Sequence, residues 1–305
     1  MNTSAVKRRT IGDIIFFTLN YAIFFVITII SIYPFYYVLI NTVSANNLSA
    51  GGQIVFLPRG IHFRNYTEVL RLPGLSNAAM ISVLRTSIGT VCTVSVSAFL
   101  GFLFSQQKMF MRKFLYRMII ITMYFQAGII PWYIIMMHLG LTNNFWAYIL
   151  PAIVQPFNII LVKTYIESTP YSLQEAAKID GANPLQVFFM VMLPILKPIL
   201  ATIAIFAAVG QWNSFMDTLI LVTDQRLHTL QYMLFVYISQ ANSLAQALRN
   251  SSNIESELAA SLATRQTPTS IRMTVTVVVV LPILAVYPYF QKHFVKGIMV
   301  GAIKG

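Results

Sequence analysis

An all-α integral membrane fold is the class this sequence predicts, and three observations carry it. Of the 305 residues, 57% are hydrophobic and only 10% are charged, against roughly a quarter charged in soluble domains. The mean hydropathy is +0.69. Several windows also exceed the roughly 18 apolar residues that mark a helix able to cross a bilayer.

Six transmembrane helices follow, within a single transmembrane domain over 1–305. The first, about 14–40, comes after Lys7-Arg8-Arg9. Its apolar run is too long for the roughly 7–15-residue core of a signal peptide, so it is read as a retained helix. The others fall at about 78–104, 114–138, 145–165, 199–222 and 273–290. Each suits a hydrocarbon core roughly 30 Å thick at a rise of about 1.5 Å per residue. Pro131 in the third span, with Pro151 and Pro156 in the fourth, remove backbone donors and predict kinks.

Lysine placement sets the orientation. With both termini inside, the inner segments hold 13 of the 21 basic residues, all nine lysines among them, beside only four acids. The inverted arrangement would put every lysine outside, against the positive-inside bias. The outer loops are then 44–77 and 223–270. The first carries Gly51-Gly52, Pro58, Gly60, Pro73 and Gly74 and is expected to be irregular, with a short helix near Tyr66–Arg71. The second is too long to lack structure and should be helical in part. Both are candidates for contact with an extracytoplasmic partner.

Several function classes are excluded. The net charge of +12 is spread over segment ends, with no basic run interleaved with stacking aromatics for nucleic acid. The single cysteine, Cys92, lies in an apolar segment and rules out an intrachain disulfide. His62, His138, His228 and His293 are scattered, unlike a metal path. No nucleophile–base constellation marks an enzyme. A self-sufficient secondary transporter would show inverted repeats around a charged midplane site, and no repeat is visible.

Between the fourth and fifth spans, at 168–197, lies a partly polar island. Ser172-Leu173-Gln174-Glu175 matches a capping box, so a short helix is expected from Leu173. Gly181 can take the left-handed conformation that ends it. Asn183-Pro184 then starts a second helix carrying Leu185, Phe188, Phe189 and Met192 before Pro194. Ala176 and Ala177 let another backbone approach closely, Leu173 and Ile179 are flanking apolar anchors, and Glu175 can pair with a partner arginine. The alternative, an amphipathic helix lying flat on the bilayer, has no need for the elbow glycine and paired alanines.

The run Glu175-Ala176-Ala177-Lys178-Ile179-Asp180-Gly181-Ala182, with Leu193-Pro194 and Pro198, resembles the cytoplasmic "EAA" coupling loop of the membrane subunits of ATP-binding-cassette (ABC) importers. The carboxy-terminal segments Phe294–Gly297 and Gly301–Gly305, and Gln211-Trp212-Asn213-Ser214-Phe215, are similar to the maltose-type, carbohydrate-uptake subclass. The likeness is strongest to oligosaccharide permeases of Gram-positive bacteria. It implies the type I importer permease fold, six spans with cytoplasmic coupling helices, in a multi-pass protein of the bacterial cytoplasmic membrane. It also implies a heterodimer with a second, homologous permease, an ATPase dimer, an extracytoplasmic sugar-binding protein and an oligosaccharide substrate. Leu173, Glu175, Ala176, Ala177, Ile179, Asp180, Gly181, Ala182 and Pro194 would receive the ATPase. The chain itself is expected to bind no cofactor and to be no enzyme, since no phosphate-cradling G-x-x-x-x-G-K-[ST] loop occurs in it. ATP and Mg would belong to the ATPase.

Sugars need flat aromatic faces for their C–H surfaces and amides or carboxylates for their hydroxyls. Polar groups inside spans are costly unless they face a cavity or a partner. That singles out Gln126, Trp132, Tyr133 and His138, then Gln155 and Asn158, then Gln211, Trp212, Asn213 and Asp217. Interfacial aromatics and helix-bridging amides are the competing roles, and Asp217 is expected to pair with a partner group or to face an aqueous vestibule. An importer of the same build for a non-sugar solute is the remaining alternative.

Overall fold

The computed structural model describes residues 10–125, 127–250, 267 and 269–285; among them there is helix and no strand. Helix α1 (Ile11–Val43) starts because Thr10 and Asp13 cap it reciprocally. The Thr10 hydroxyl accepts from the Asp13 amide at 3.3 Å, and the Asp13 carboxylate accepts from the Thr10 amide at 2.9 Å. Its large apolar side chains are exposed from Ile11 to Leu39. Such a surface demands lipid or a protein partner.

Two compact units divide the chain: 1–69 with 240–277, and 70–239 with 278–305. In the first, α2 (Asn46–Ala50) and α3 (Arg64–Leu70) follow α1. Residues 51–63 are irregular and a short helix follows as α3, both as expected; a buried polar knot organises the stretch. The Asn41 amide donates to the Ile54 carbonyl, and its oxygen accepts from the Ser49 hydroxyl at 2.7 Å. Asn65 donates to the Thr42 carbonyl and to Asn46, both at 2.9 Å. Buried polar groups satisfied so completely hold one loop conformation.

In the second unit, α4 (Leu75–Ser105) packs on α7 (Pro156–Glu167) and α11 (Lys197–Asn213). Its buried stripe runs Ala78, Ser82, Arg85, Gly89, Thr93, Ser97, Gly101, one residue per turn. Lipid offers no hydrophobic drive between helices, so small residues supply close packing. A Cβ on Gly89 would stand 2.7 Å from the Gln211 amide, and one on Gly101 2.6 Å from the Val162 side chain.

The third span departs from the expectation. It is not continuous over 114–138 but comprises α5 (Arg112–Tyr124) and α6 (Ile129–His138). Phe125 is extended, and Gly128 has φ +87°. Pro131 therefore produces no kink: it sits in the first turn of α6, where its missing N–H has no partner to lose. In the fourth span, the turns over Phe145–Ala152 meet α7 at 44°, with Pro156 as its first residue. Among the described residues two helices, α1 and α4, are long and apolar enough to cross a membrane unbroken, and two bent pairs could each supply one more. The helix Thr269–Ala285 is shorter; the proposed last span, 273–290, and the carboxy-terminal segments extend outside the described residues.

Candidate functional site

Helix α8 (Ser172–Ile179) is the first arm of an elbow. The capping box expected at Ser172–Glu175 does not form. The chain enters from Pro170 in a tight turn, and the backbone serves the first amides: Leu173 donates to the Pro170 carbonyl, Gln174 and Glu175 to that of Tyr171. Ser172 is thus already inside the helix. The arm ends in a Schellman turn, with Gly181 donating to Lys178 at 3.1 Å and Ala182 to Ala177 at 2.9 Å. Gly181 holds φ +83° with open space where a Cβ would stand, so backbone conformation, not crowding, demands glycine.

The reciprocal cap falls instead on the second arm. Asn183 accepts from the Gln186 amide at 2.9 Å, and Gln186 accepts from the Asn183 amide at 2.8 Å. Pro184 is the first residue of α9 (Pro184–Gln186). A π-helical segment over Val187–Met192 then leads to α10 (Leu193–Ile195). This wider turn lies directly before Pro194, whose ring disrupts an α-helical ladder. The arm meets α11 at 79°.

Of the nine expected coupling residues, Leu173, Glu175, Ala176, Ile179, Asp180, Gly181 and Pro194 are exposed, while Ala177 and Ala182 are half-buried. Ile179 is 85% exposed. The inward face of the elbow is anchored. Gln174, buried, accepts from the Gln106 amide at 3.0 Å. Glu167 accepts from both Arg112 and Lys163 at 2.6 Å. Val187, Phe188, Met192 and Leu196 enter one core cluster with Ala98 and Phe102 of α4, Val162 and Ile166 of α7, and Ile203 of α11. Any force on the elbow therefore reaches three long helices through close packing.

A cavity of about 550 Å³ lies within the same unit. Trp132, Asn158, Gln211 and Asp217 line it, joined by Gln155, Phe157 and Phe206. Tyr133 and Asn213 do not line it, and His138 is exposed at the end of α6. Gln126 lies outside the described residues. Trp212 belongs elsewhere: its indole N–H donates to the Val279 carbonyl at 3.1 Å, and it lines a second, mostly apolar cavity of about 710 Å³.

The cavity holds a charge pair that composition alone had hidden. Arg85, 2% exposed, donates through both terminal nitrogens to the Asp217 carboxylate, at 3.1 and 2.5 Å. Its Nε donates to Gln211 at 3.0 Å, and the guanidinium lies 4.4 Å from the centre of the Tyr148 ring. Asp217 does pair, then, within its own chain. A lone arginine in the apolar run 78–104 was the available signal, since charges inside spans mark functional positions.

The chain as a whole is similar to known proteins. The family model described as "Binding-protein-dependent transport system inner membrane component" matches residues 94–300. Protein LplC of Bacillus subtilis is 32% identical over 277 residues, 90% of each chain. The polygalacturonan/rhamnogalacturonan transport system permease protein YtcP, also of Bacillus subtilis, is 30% identical over 95% of this chain and 99% of its own. Among solved structures, a chain of a bacterial ABC transporter involved in the import of the acidic polysaccharide alginate aligns with a TM-score of 0.81 and 28% identity. That match covers 95% of this chain and 100% of the other.

Proposed function

The chain belongs to the binding-protein-dependent transport system inner membrane component family, and from that membership we propose that it is the permease subunit of an ATP-driven importer of oligosaccharides. It works in the bacterial cytoplasmic membrane as a multi-pass protein. The polysaccharide-linked relatives support a carbohydrate cargo. A second, homologous permease completes the path as a heterodimer, and an extracytoplasmic binding protein delivers the sugar. A separate ATPase dimer, holding ATP and Mg, supplies the energy; the permease is a transport subunit and no enzyme. Six spans with both termini inside put the elbow in the cytoplasm, where the lysine distribution favours it.

Transport proceeds by alternating access. ATP binding closes the ATPase dimer, and the elbow at 168–197 rides with it. Two packings of the same helices, differentially stabilised by nucleotide and by the loaded binding protein, are all this requires. The observation that carries the reading is the elbow's construction. Its exposed apolar edge, Leu173 and Ile179, faces away from the chain. Its buried edge enters the cluster that clasps α4, α7 and α11. The cavity walls suit a sugar: Trp132 and Phe157 offer ring faces, Gln155 and Asn158 amides.

Two measurements test this. In the assembled complex with Cys92→Ser, an Ile179→Cys variant should crosslink to the ATPase, with a yield that changes on adding ATP. No crosslink with or without nucleotide would defeat the coupling role. Separately, ATP turnover by the reconstituted complex should rise with binding protein and a pectin-, alginate- or neutral-sugar oligomer. Stimulation by none of these removes the carbohydrate assignment.

A further inference from the structure

We infer that Arg85 and Asp217 are positioning residues of the transport path: together they replace a missing backbone hydrogen bond at a helix break and so hold one wall of the cavity in place. The inference rests on the sugar-path reading above. Helix α11 stops at Asn213, and α12 (Met216–Leu221) begins three residues later. The break falls inside the proposed fifth span, where lipid offers nothing to satisfy freed backbone groups.

Of the rungs that an unbroken helix would make across this point, the last would run from the Thr218 amide to the Ser214 carbonyl. Neither group is left alone. The Thr218 amide donates to the Asp217 carboxylate at 2.8 Å, and the Ser214 carbonyl accepts from Arg85 Nη1 at 3.3 Å. Arg85 and Asp217 then close on each other. The rung is therefore rebuilt through side chains, Ser214 to Arg85 to Asp217 to Thr218. Ordinary helix resumes beyond it, with Leu219 donating to Phe215 at 2.9 Å.

The same guanidinium reaches α11. Its Nε takes the Gln211 oxygen, and the Gln211 nitrogen donates to the Tyr148 carbonyl at 3.2 Å. Tyr148 in turn donates its hydroxyl to the Leu227 carbonyl at 2.7 Å. One planar fork thus joins both sides of the break to a helix packed against them. A lysine could hold the ion pair but not these separate directions at once. Arg85 itself lines the cavity, and its four hydrogen bonds all go to Gln211, Ser214 and Asp217, which line it too, so it holds the wall that they form.

The test compares wild type with Arg85→Gln/Asp217→Asn, which removes both charges and leaves none buried alone, and with Arg85→Lys. Amide hydrogen exchange in the purified complex reads the break directly. The double variant should speed exchange over 214–218 by about tenfold or more while the elbow at 172–196 stays as in wild type. Arg85→Lys should fall between. In uptake assays, KM for the sugar should rise in the double variant by about fivefold or more beyond any fall in maximal rate. Wild-type exchange and wild-type KM in the double variant would overturn the inference. A wild-type complex that carries no oligosaccharide would sink the sugar reading instead, and the exchange measurement would still decide the clamp.

Discussion

Gly89 of α4 and Gln211 of α11 meet where no side chain could separate them: a Cβ on Gly89 would lie 2.7 Å from the Gln211 amide nitrogen. Gln211 cannot swing away, because Arg85 holds its oxygen and the Tyr148 carbonyl holds its nitrogen. The contact therefore registers α4 against the wall of the cavity.

Gly89→Ala should accordingly cost about 1–3 kcal/mol, the usual range for overpacking a filled interior. The thermal midpoint of the purified complex should fall, and uptake with it. Gln211→Ala combined with Gly89→Ala should recover part of the packing loss, because the two sites share one contact. A Gly89→Ala protein as stable as wild type would show that the helices separate freely.

The elbow's two capping motifs make opposite forecasts. Asn183→Ala should destabilise the second arm by about 1 kcal/mol, the typical loss of an N-cap. Ser172→Ala should be close to silent, since its hydroxyl caps nothing. Limited proteolysis of the elbow in the isolated permease compares them. Equal sensitivity of the two variants would contradict the assignment.

Gln174 and Gln106 link the first arm to the end of α4. Gln174→Ala removes the link and leaves the Gln106 amide only its longer bond to the Ser105 hydroxyl at 3.3 Å, a loss of about 1 kcal/mol. ATP hydrolysis should survive while sugar uptake per ATP falls. Unchanged stoichiometry in the reconstituted complex would show that the core cluster alone carries the motion.

In the segment after α12, burial pushes the His228 imidazole below its usual value, with the Asp224 carboxylate opposing. Tyr232 stacks edge-on at 4.6 Å, and exposed Arg226 pairs with Asp224. A histidine harder to protonate when folded contributes stability above its unfolded pKa of about 6.5 and loses it as pH falls below that. The thermal midpoint should therefore decline from pH 7 toward pH 5.5, and His228→Gln should flatten that decline. An identical slope in both proteins would assign the dependence elsewhere.

What the sequence made legible is chemistry that acts within a few residues. Gly181 and Asn183-Pro184 announce a turn and a helix start, and both occur as read. Ser172 misled because the motif says nothing about how the chain arrives, and Pro170 brings it in already turning. Pro131 misled likewise: whether a proline kinks a helix or begins one depends on a break at 125–128 that no spacing signals. Gln211 and Trp212 are adjacent in sequence yet about 100° apart around a helix, so one faces the cavity with Arg85 and the other leaves it. Arg85 itself required knowing that residues 126 and 132 positions further on fold back to meet it.

The buried knot of Asn41, Ser49, Asn46 and Asn65 has its own bearing on how the protein meets others. A loop already locked by its own amides loses little freedom on contact, so a visitor landing there need not wait for the surface to organise. Encounter would then be governed by collision and orientation, as between two rigid bodies, and the ordering cost avoided would lengthen the contact once made.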